Sequence, residues 1–301
     1  MFAIIGMVVV LGAVLGGYLI EHGKIAVLLQ PAELLIIGGA AIGTLLVANP
    51  LAILLRIVHS LKAVIKGSQY TKEYYLDTLK MLNELFMTAR KNGMVKLEED
   101  IEEPHKSAVF SKHPLFLANR HAVAFVCDTL RMSISGGVPA FDLDQMMELD
   151  MDVHHQEAAK PATALSTVAD ALPGLGIVAA VLGVVITMGA LGGPPEEIGH
   201  KVAAALVGTF LGILLCYGFL GPLASNLSKM NDEEMDYLRC LRQGVIAFVK
   251  GSAPVLAIEF ARRTVPGELR PTFLELEAAC RKGGHSAAPA ESAPSPPAEA
   301  A

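Results

Sequence analysis

The sequence predicts an all-α polytopic membrane protein in which four transmembrane helices join a helical cytosolic domain. Apolar residues make up 52% of the 301-residue chain and charged residues only 18%, with a mean hydropathy of +0.48, too apolar for an ordinary soluble domain. The excess is concentrated. Phe2–Ile20, Leu34–Leu55, Ala171–Pro195 and Val202–Ser228 hold no Asp, Glu, Lys, Arg or His, in runs of 19, 22, 25 and 27 residues, and about 20 residues suffice to cross a bilayer. Between these runs, apolar residues recur at helical rather than strand spacing.

The first hairpin occupies 1–55. Its opening run reads as a retained helix, because 19 apolar residues outlast the core of a signal peptide and no basic segment precedes them. The loops 21–33 and 196–201 carry only Lys24 and Lys201, whereas Arg56, Lys62, Lys66, Lys72, Lys160, Lys229, Arg239 and Arg242 flank the opposite ends of the spans. That bias predicts a multi-pass membrane protein with both termini in the cytoplasm.

Segment 56–170 is predicted to form the cytosolic helical domain. Leu76, Leu79, Leu82, Leu85, Phe86 and Ala89 form one apolar stripe that ends near Asn92-Gly93. A second helix is expected from His113-Pro114 to Ser135, with Leu117, Ala122, Phe125, Val126 and Leu130 buried. A third starts near Phe141, carries Leu143, Met146, Met147 and Leu149, and continues through Pro161 toward the membrane. The second hairpin takes 171–228, and a helical extension, 229–282, carries Met230, Met235, Leu238, Leu241 and Val245. The last stretch, 283–301, is Ala-, Pro- and Ser-rich and is predicted to be a disordered tail.

What the uncharged runs lack narrows the function. With no carboxylate, imidazole, ammonium or guanidinium inside them, they offer no proton relay of their own, so a pump built from them must borrow its ionisable group. The only Gly-Lys pair, Gly23-Lys24, is followed by Ile, so no phosphate-binding loop is present. His154, His155 and Glu157 fit no standard metal-ligand spacing, and neither metal nor other cofactor is expected. Net charge of −6 and a pI of 5.9 argue against a nucleic-acid partner. The four cysteines form no CxxC pair and read as packing residues. No catalytic constellation marks 56–170, so an enzyme is not indicated.

Small residues pair at Gly12 and Gly16, Gly39 and Gly43, Gly176 and Ala180, and Gly208 and Gly212, spacing that allows close helix approach within the chain or between chains. Thr209 is an uncharged oxygen that can face an ion or back-bond to the carbonyl of Ala205. Pro173 and Pro222 fall near the cytosolic ends of their spans and free the carbonyls of Ala169 and Gly218, giving static kinks or paired hinges. Arg90 and Glu98 flank the Asn92-Gly93 break and, on the residues alone, read as a solvated helix face.

The strings LGGYLIEHG and LLQPAELLIIGGAAIGTLLVANP, then ADALPGLGIVAAVLGVVITMG and LVGTFLGILLCYGFLGPLA, closely resemble the MotA family of bacterial flagellar stator subunits. The resemblance runs from Met1 to about Ala279 and takes in the cytosolic LEEDIEEPHKSAVFSKHP, then Ile258-Glu259-Phe260 and RPTFLELE. It implies that five copies in the bacterial inner membrane surround the membrane helices of two MotB subunits, whose Asp binds the proton, and that torque is delivered to the rotor protein FliG. It further implies an ion pathway at Thr209 and Ala180, coupling at Pro173 and Pro222, and rotor contacts at Arg90, Glu98 and Asp150. ExbB- and TolQ-like energisers have three spans and lack this two-plus-two arrangement.

Overall fold

A computed structural model describes residues 2–189 and 192–283. The predicted tail, 283–301, lies almost wholly outside the described residues. In chain order the helices are α1 Phe2–Ile20, α2 Ile25–Leu28, α3 Pro31–Ala48, α4 Leu51–Lys66, α5 Lys72–Asn92, α6 Met94–Glu102, α7 Pro114–Ala118, α8 Arg120–Ser135, α9 Ala140–Met188, α10 Pro195–Leu215, α11 Gly221–Val249, α12 Pro254–Thr264 and α13 Phe273–Gly283. No strand occurs among the described residues, and four helical stretches are long and apolar enough to cross a membrane.

The span edges differ from those of the uncharged runs, for local reasons. α3 starts at Pro31, whose missing N–H costs nothing at the first helical position. It stops at Ala48 because Pro50 forces Asn49 into extended backbone, φ −133° and ψ 141°. The Asn49 amide then donates to the Leu45 carbonyl at 3.2 Å, and residues 51–55 join the separate amphipathic helix α4. α9 ends at Met188, and α10 begins at Pro195, seven residues before the uncharged run. Between α10 and α11 the chain makes one π-helical turn, Cys216–Leu220.

The chain forms two compact units, one drawn from 1–70 and 148–238, the other from 71–147 and 239–301. In the first, Ile37, Ala41, Val168, Ala169, Leu172, Ala179 and Cys216 make a buried cluster. None of α1's apolar residues is buried, and large residues such as Val8, Leu35, Val47, Ile186 and Leu206 stay exposed. Such faces need lipid or other protein helices around them.

The second unit has a conventional apolar core. Thr71 caps α5 by accepting from the Tyr74 amide at 3.3 Å, and the stripe Leu79, Leu82, Leu85, Phe86 and Ala89 is buried. Phe86 stacks on Phe248 with ring centroids 4.2 Å apart. The predicted 114–135 helix is divided at Asn119, whose side chain accepts from the Ala122 amide at 3.1 Å and starts α8 afresh. Thr272 and Glu275 form a reciprocal cap, Thr272 N–H to Glu275 at 2.7 Å and Glu275 N–H to Thr272 Oγ1 at 3.2 Å.

Candidate ion-pathway and coupling site

Two helices cross closely inside the first unit because glycines leave room. A methyl added at Gly176 would lie 2.8 Å from the Gly208 carbonyl oxygen and 3.3 Å from Thr209 Cα; one at Gly212 would lie 2.5 Å from the Leu172 carbonyl oxygen and 2.9 Å from Gly176 Cα. Backbone therefore meets backbone where α9 crosses α10. One turn along, a methyl at Gly208 would approach Ala179 Cβ at 3.1 Å and the Ala180 nitrogen at 3.3 Å. The crossing thus brings Ala180 and Thr209 onto contacting turns. Gly12, Gly16, Gly39 and Gly43 have nothing within 4 Å of the corresponding position, so these two pairs face outward from the chain.

Thr209 is half-buried. Thr44, Thr163, Thr167 and Thr187 each back-bond to the carbonyl four residues earlier, Thr187 at 2.8 Å. Among the described residues Thr209 makes no such bond, and its hydroxyl is left for another partner.

α9 remains helical through Pro161 and Pro173. Pro173 sits one residue after the Leu172 carbonyl that packs on Gly212, so its position bears directly on the crossing. Pro222 is exposed in the first turn of α11, straight after the π turn, where the Gly221 amide reaches back five residues to the Cys216 carbonyl. A π turn beside a proline widens the helix, where a proline alone only kinks it. The proline is legible in the sequence, whereas the π turn is not.

One carboxylate changes the picture drawn from the uncharged runs. The second run begins at Leu34, yet α3 begins at Pro31 and carries Glu33 inside its first turn. Glu33 is only 6% exposed, and its Oε2 has no hydrogen-bond partner among the described residues. That atom would sit 2.6 Å from a methyl at Gly208. The expectation that every span lacks a carboxylate is therefore corrected: a run bounded by charge necessarily excludes a charge buried within the helix. Pro31 followed two residues later by an acid is the helix-start signal that points to it.

Arg90 and Glu98 are exposed on either side of Gly93, which has φ 88° and breaks α5 from α6. Neither takes part in an ion pair among the described residues, whereas neighbouring Lys96 holds Glu99 at 2.7 Å. Asp150 is exposed on α9 and belongs to the first unit. Four residues on, His154 Nε2 lies 3.2 Å from Glu234 Oε1; hydrogen bonding to Glu234 raises the His154 pKa more than burial lowers it, with Asp150 and Glu157 adding to the rise. No cluster suited to a metal ion occurs among the described residues.

An all-helical, multi-pass membrane subunit with a glycine-seamed crossing in its apolar layer and unpaired charges on its polar unit is the class these features define. Residues 4–93 match the model of the Motility protein A N-terminal region, and 118–239 that of the MotA/TolQ/ExbB proton channel family. Motility protein A of Escherichia coli K12 is 42% identical over 277 residues, 92% of this chain and 94% of its own. The chemotaxis protein LafT of Vibrio parahaemolyticus is 37% identical, covering 91% and 96%. Among solved structures, C. jejuni MotAB superposes with a TM-score of 0.73 at 18% identity, covering 88% of this chain and 96% of that one. The stator complex of Bacillus subtilis superposes at 0.70 and 23%, covering 85% and 92%. The chain belongs to the MotA family of flagellar stator subunits, within a proton channel family and not an enzyme family.

Proposed function

We propose that this chain is the stator subunit that, together with MotB, couples inward proton flow across the inner membrane to torque on the rotor protein FliG. The observation that carries the reading is the 42% identity to Motility protein A along 92% of the chain. The local geometry agrees with it. Ala180 and Thr209 lie on contacting turns of the α9–α10 crossing, and the unfilled faces at Gly12, Gly16, Gly39 and Gly43 suit a ring of five copies around the helices of two MotB chains, whose membrane Asp would bind the proton. Arg90, Glu98 and Asp150 would meet charges on FliG, with both termini in the cytoplasm. Ala180 brings no oxygen, which favours a proton over sodium, because a sodium ion must replace its hydration shell with several oxygen ligands.

The test uses cells lacking their own motility protein A, supplied with this chain, its MotB partner, or both. Swimming and proton uptake by membrane vesicles should appear only with both, and swimming speed should stay flat as external sodium is raised and collapse with a protonophore. Flux from this chain alone, or speed that follows sodium and survives the protonophore, would overturn the reading.

A further inference from the structure

We infer that Glu33 is a proton-holding carboxyl belonging to this chain itself, seated inside the membrane layer against Gly208 and serving as a station on the ion path ahead of the carboxylate that the partner supplies. The inference rests on the proposed function and deepens it.

The seat is built by the fold. Glu33 lies in the first turn of α3, is 6% exposed, and places Oε2 without a hydrogen-bond partner against the bare backbone of α10 at Gly208. Gly208 is six residues into the uncharged run of α10, roughly 9 Å along the helix axis, and Glu33 lies within the candidate span Ile25–Ala48. Glu33 makes no ion pair among the described residues, and the nearest basic residues in sequence, His22 and Lys24, are exposed in the connection before α2. α2 contains no titratable residue, the α9 turn at Ala179–Ala180 contains none, and α10 keeps Glu196, Glu197, His200 and Lys201 in its first two turns, with Lys201 bound to Glu197 at 2.9 Å.

That chemistry selects its occupant. A buried carboxyl that pairs with no cation of its own chain is held more cheaply with a proton than without one, and an ionisable side chain within a membrane span marks an ion path or proton relay by default. Sodium would find one carboxyl and the Thr209 hydroxyl in the neighbourhood, too few oxygens for a coordination shell. A purely structural acid would be expected to bond a backbone or side-chain donor, and Oε2 bonds none. In each cycle Glu33 takes one proton from the outer side and gives one up inward, ending as it began.

The experiment uses the complete complex of this chain with MotB in vesicles, comparing wild type with Glu33→Gln, Glu33→Asp and Gly208→Ala. Glu33→Gln keeps the shape and removes the exchangeable proton; it should assemble and melt as wild type but lose most of its proton flux. Glu33→Asp should regain part of that flux. Gly208→Ala should cut flux by filling the seat. Infrared difference spectra of the wild-type complex, with carboxyl-13C glutamate incorporated in this chain to set its band apart from that of the partner's Asp, should show an isotope-shifted protonated-carboxyl band that Glu33→Gln deletes. Wild-type flux through Glu33→Gln overturns the inference. So does absence of that band, which decides the matter even if the substituted chain fails to assemble. A wild-type complex that conducts no protons would instead bring down the proposed function, a distinguishable failure.

Discussion

Replacing Gly212 by Ala tests whether the α9–α10 crossing is a rigid seam. The added methyl would lie 2.5 Å from the Leu172 carbonyl oxygen and 2.9 Å from Gly176 Cα, where 3.4–4 Å is ordinary contact. Both obstacles are backbone, so no side chain can swing aside and the helices must part by roughly 1 Å. Overpacking of this kind costs about 1–3 kcal/mol, and Ala's better helix propensity returns about 1 kcal/mol. Gly39→Ala is the control, since nothing lies within 4 Å of its position and only the propensity gain applies. Unfolding of the detergent-purified chain, followed by circular dichroism during titration with a denaturing detergent, should show Gly212→Ala destabilised and Gly39→Ala unchanged or stabilised. If the two variants shift together, the crossing yields freely and the seam argument is wrong.

Three further outcomes are expected. Pro173→Leu should insert and bind its partner normally while abolishing swimming, because it restores a helical hydrogen bond to the Ala169 carbonyl beside the crossing; normal swimming would make Pro173 a static kink. Arg90→Glu and Glu98→Lys should each slow swimming without lowering the melting temperature, with loss of about 1 kcal/mol or less per contact, and reciprocal charge reversals on FliG should restore part of the speed. The His154–Glu234 contact should give a pH-dependent stability: a histidine pKa raised in the folded chain stabilises fully below its ordinary value of 6.5 and loses that contribution as pH rises through the raised one. Melting temperatures measured across that range should fall in the wild type and stay flatter in Glu234→Gln.

Much of this fold is legible because composition and period act over many residues at once. A bilayer demands some twenty apolar residues in succession, and the stripe from Leu79 to Ala89 repeats over several turns, so neither signal is erased by one exception. Single residues decide the remainder. Pro50 moves the end of α3 from the edge of the uncharged run to Ala48, and Asn119 divides one predicted helix into two. The π turn at Cys216–Leu220 adds one residue to a helix whose apolar pattern is otherwise continuous, and periodicity is blind to such an insertion. Glu33 was hidden for the opposite reason: a charge normally ends an apolar run, and only the packing of α3 on α10 shows that this one is inside. The glycine pairs look alike in sequence, yet Gly176, Gly208 and Gly212 meet backbone while Gly12, Gly16, Gly39 and Gly43 meet open space. Spacing states what can approach closely, not what does.

The proposed function asks the chain to be stiff in one place and weakly attached in another, and the residues divide along that line. One elementary charge crossing about 100 mV yields about 2.3 kcal/mol. A crossing that moved for less would absorb that energy locally, and backbone contacts through Gly176, Gly208 and Gly212 resist displacement on that scale, leaving the proline beside them as the place where shape can change. Exposed charges such as Arg90 and Glu98 form pairs worth only about 0–1 kcal/mol, less than one proton provides. Contacts of that strength can be made and broken at each step, whereas a buried apolar dock would hold the rotor against the energy available. The absence of ion pairs at Arg90 and Glu98 among the described residues then has a physical sense: a charge already paired within the chain would have to break that pair before gripping anything else.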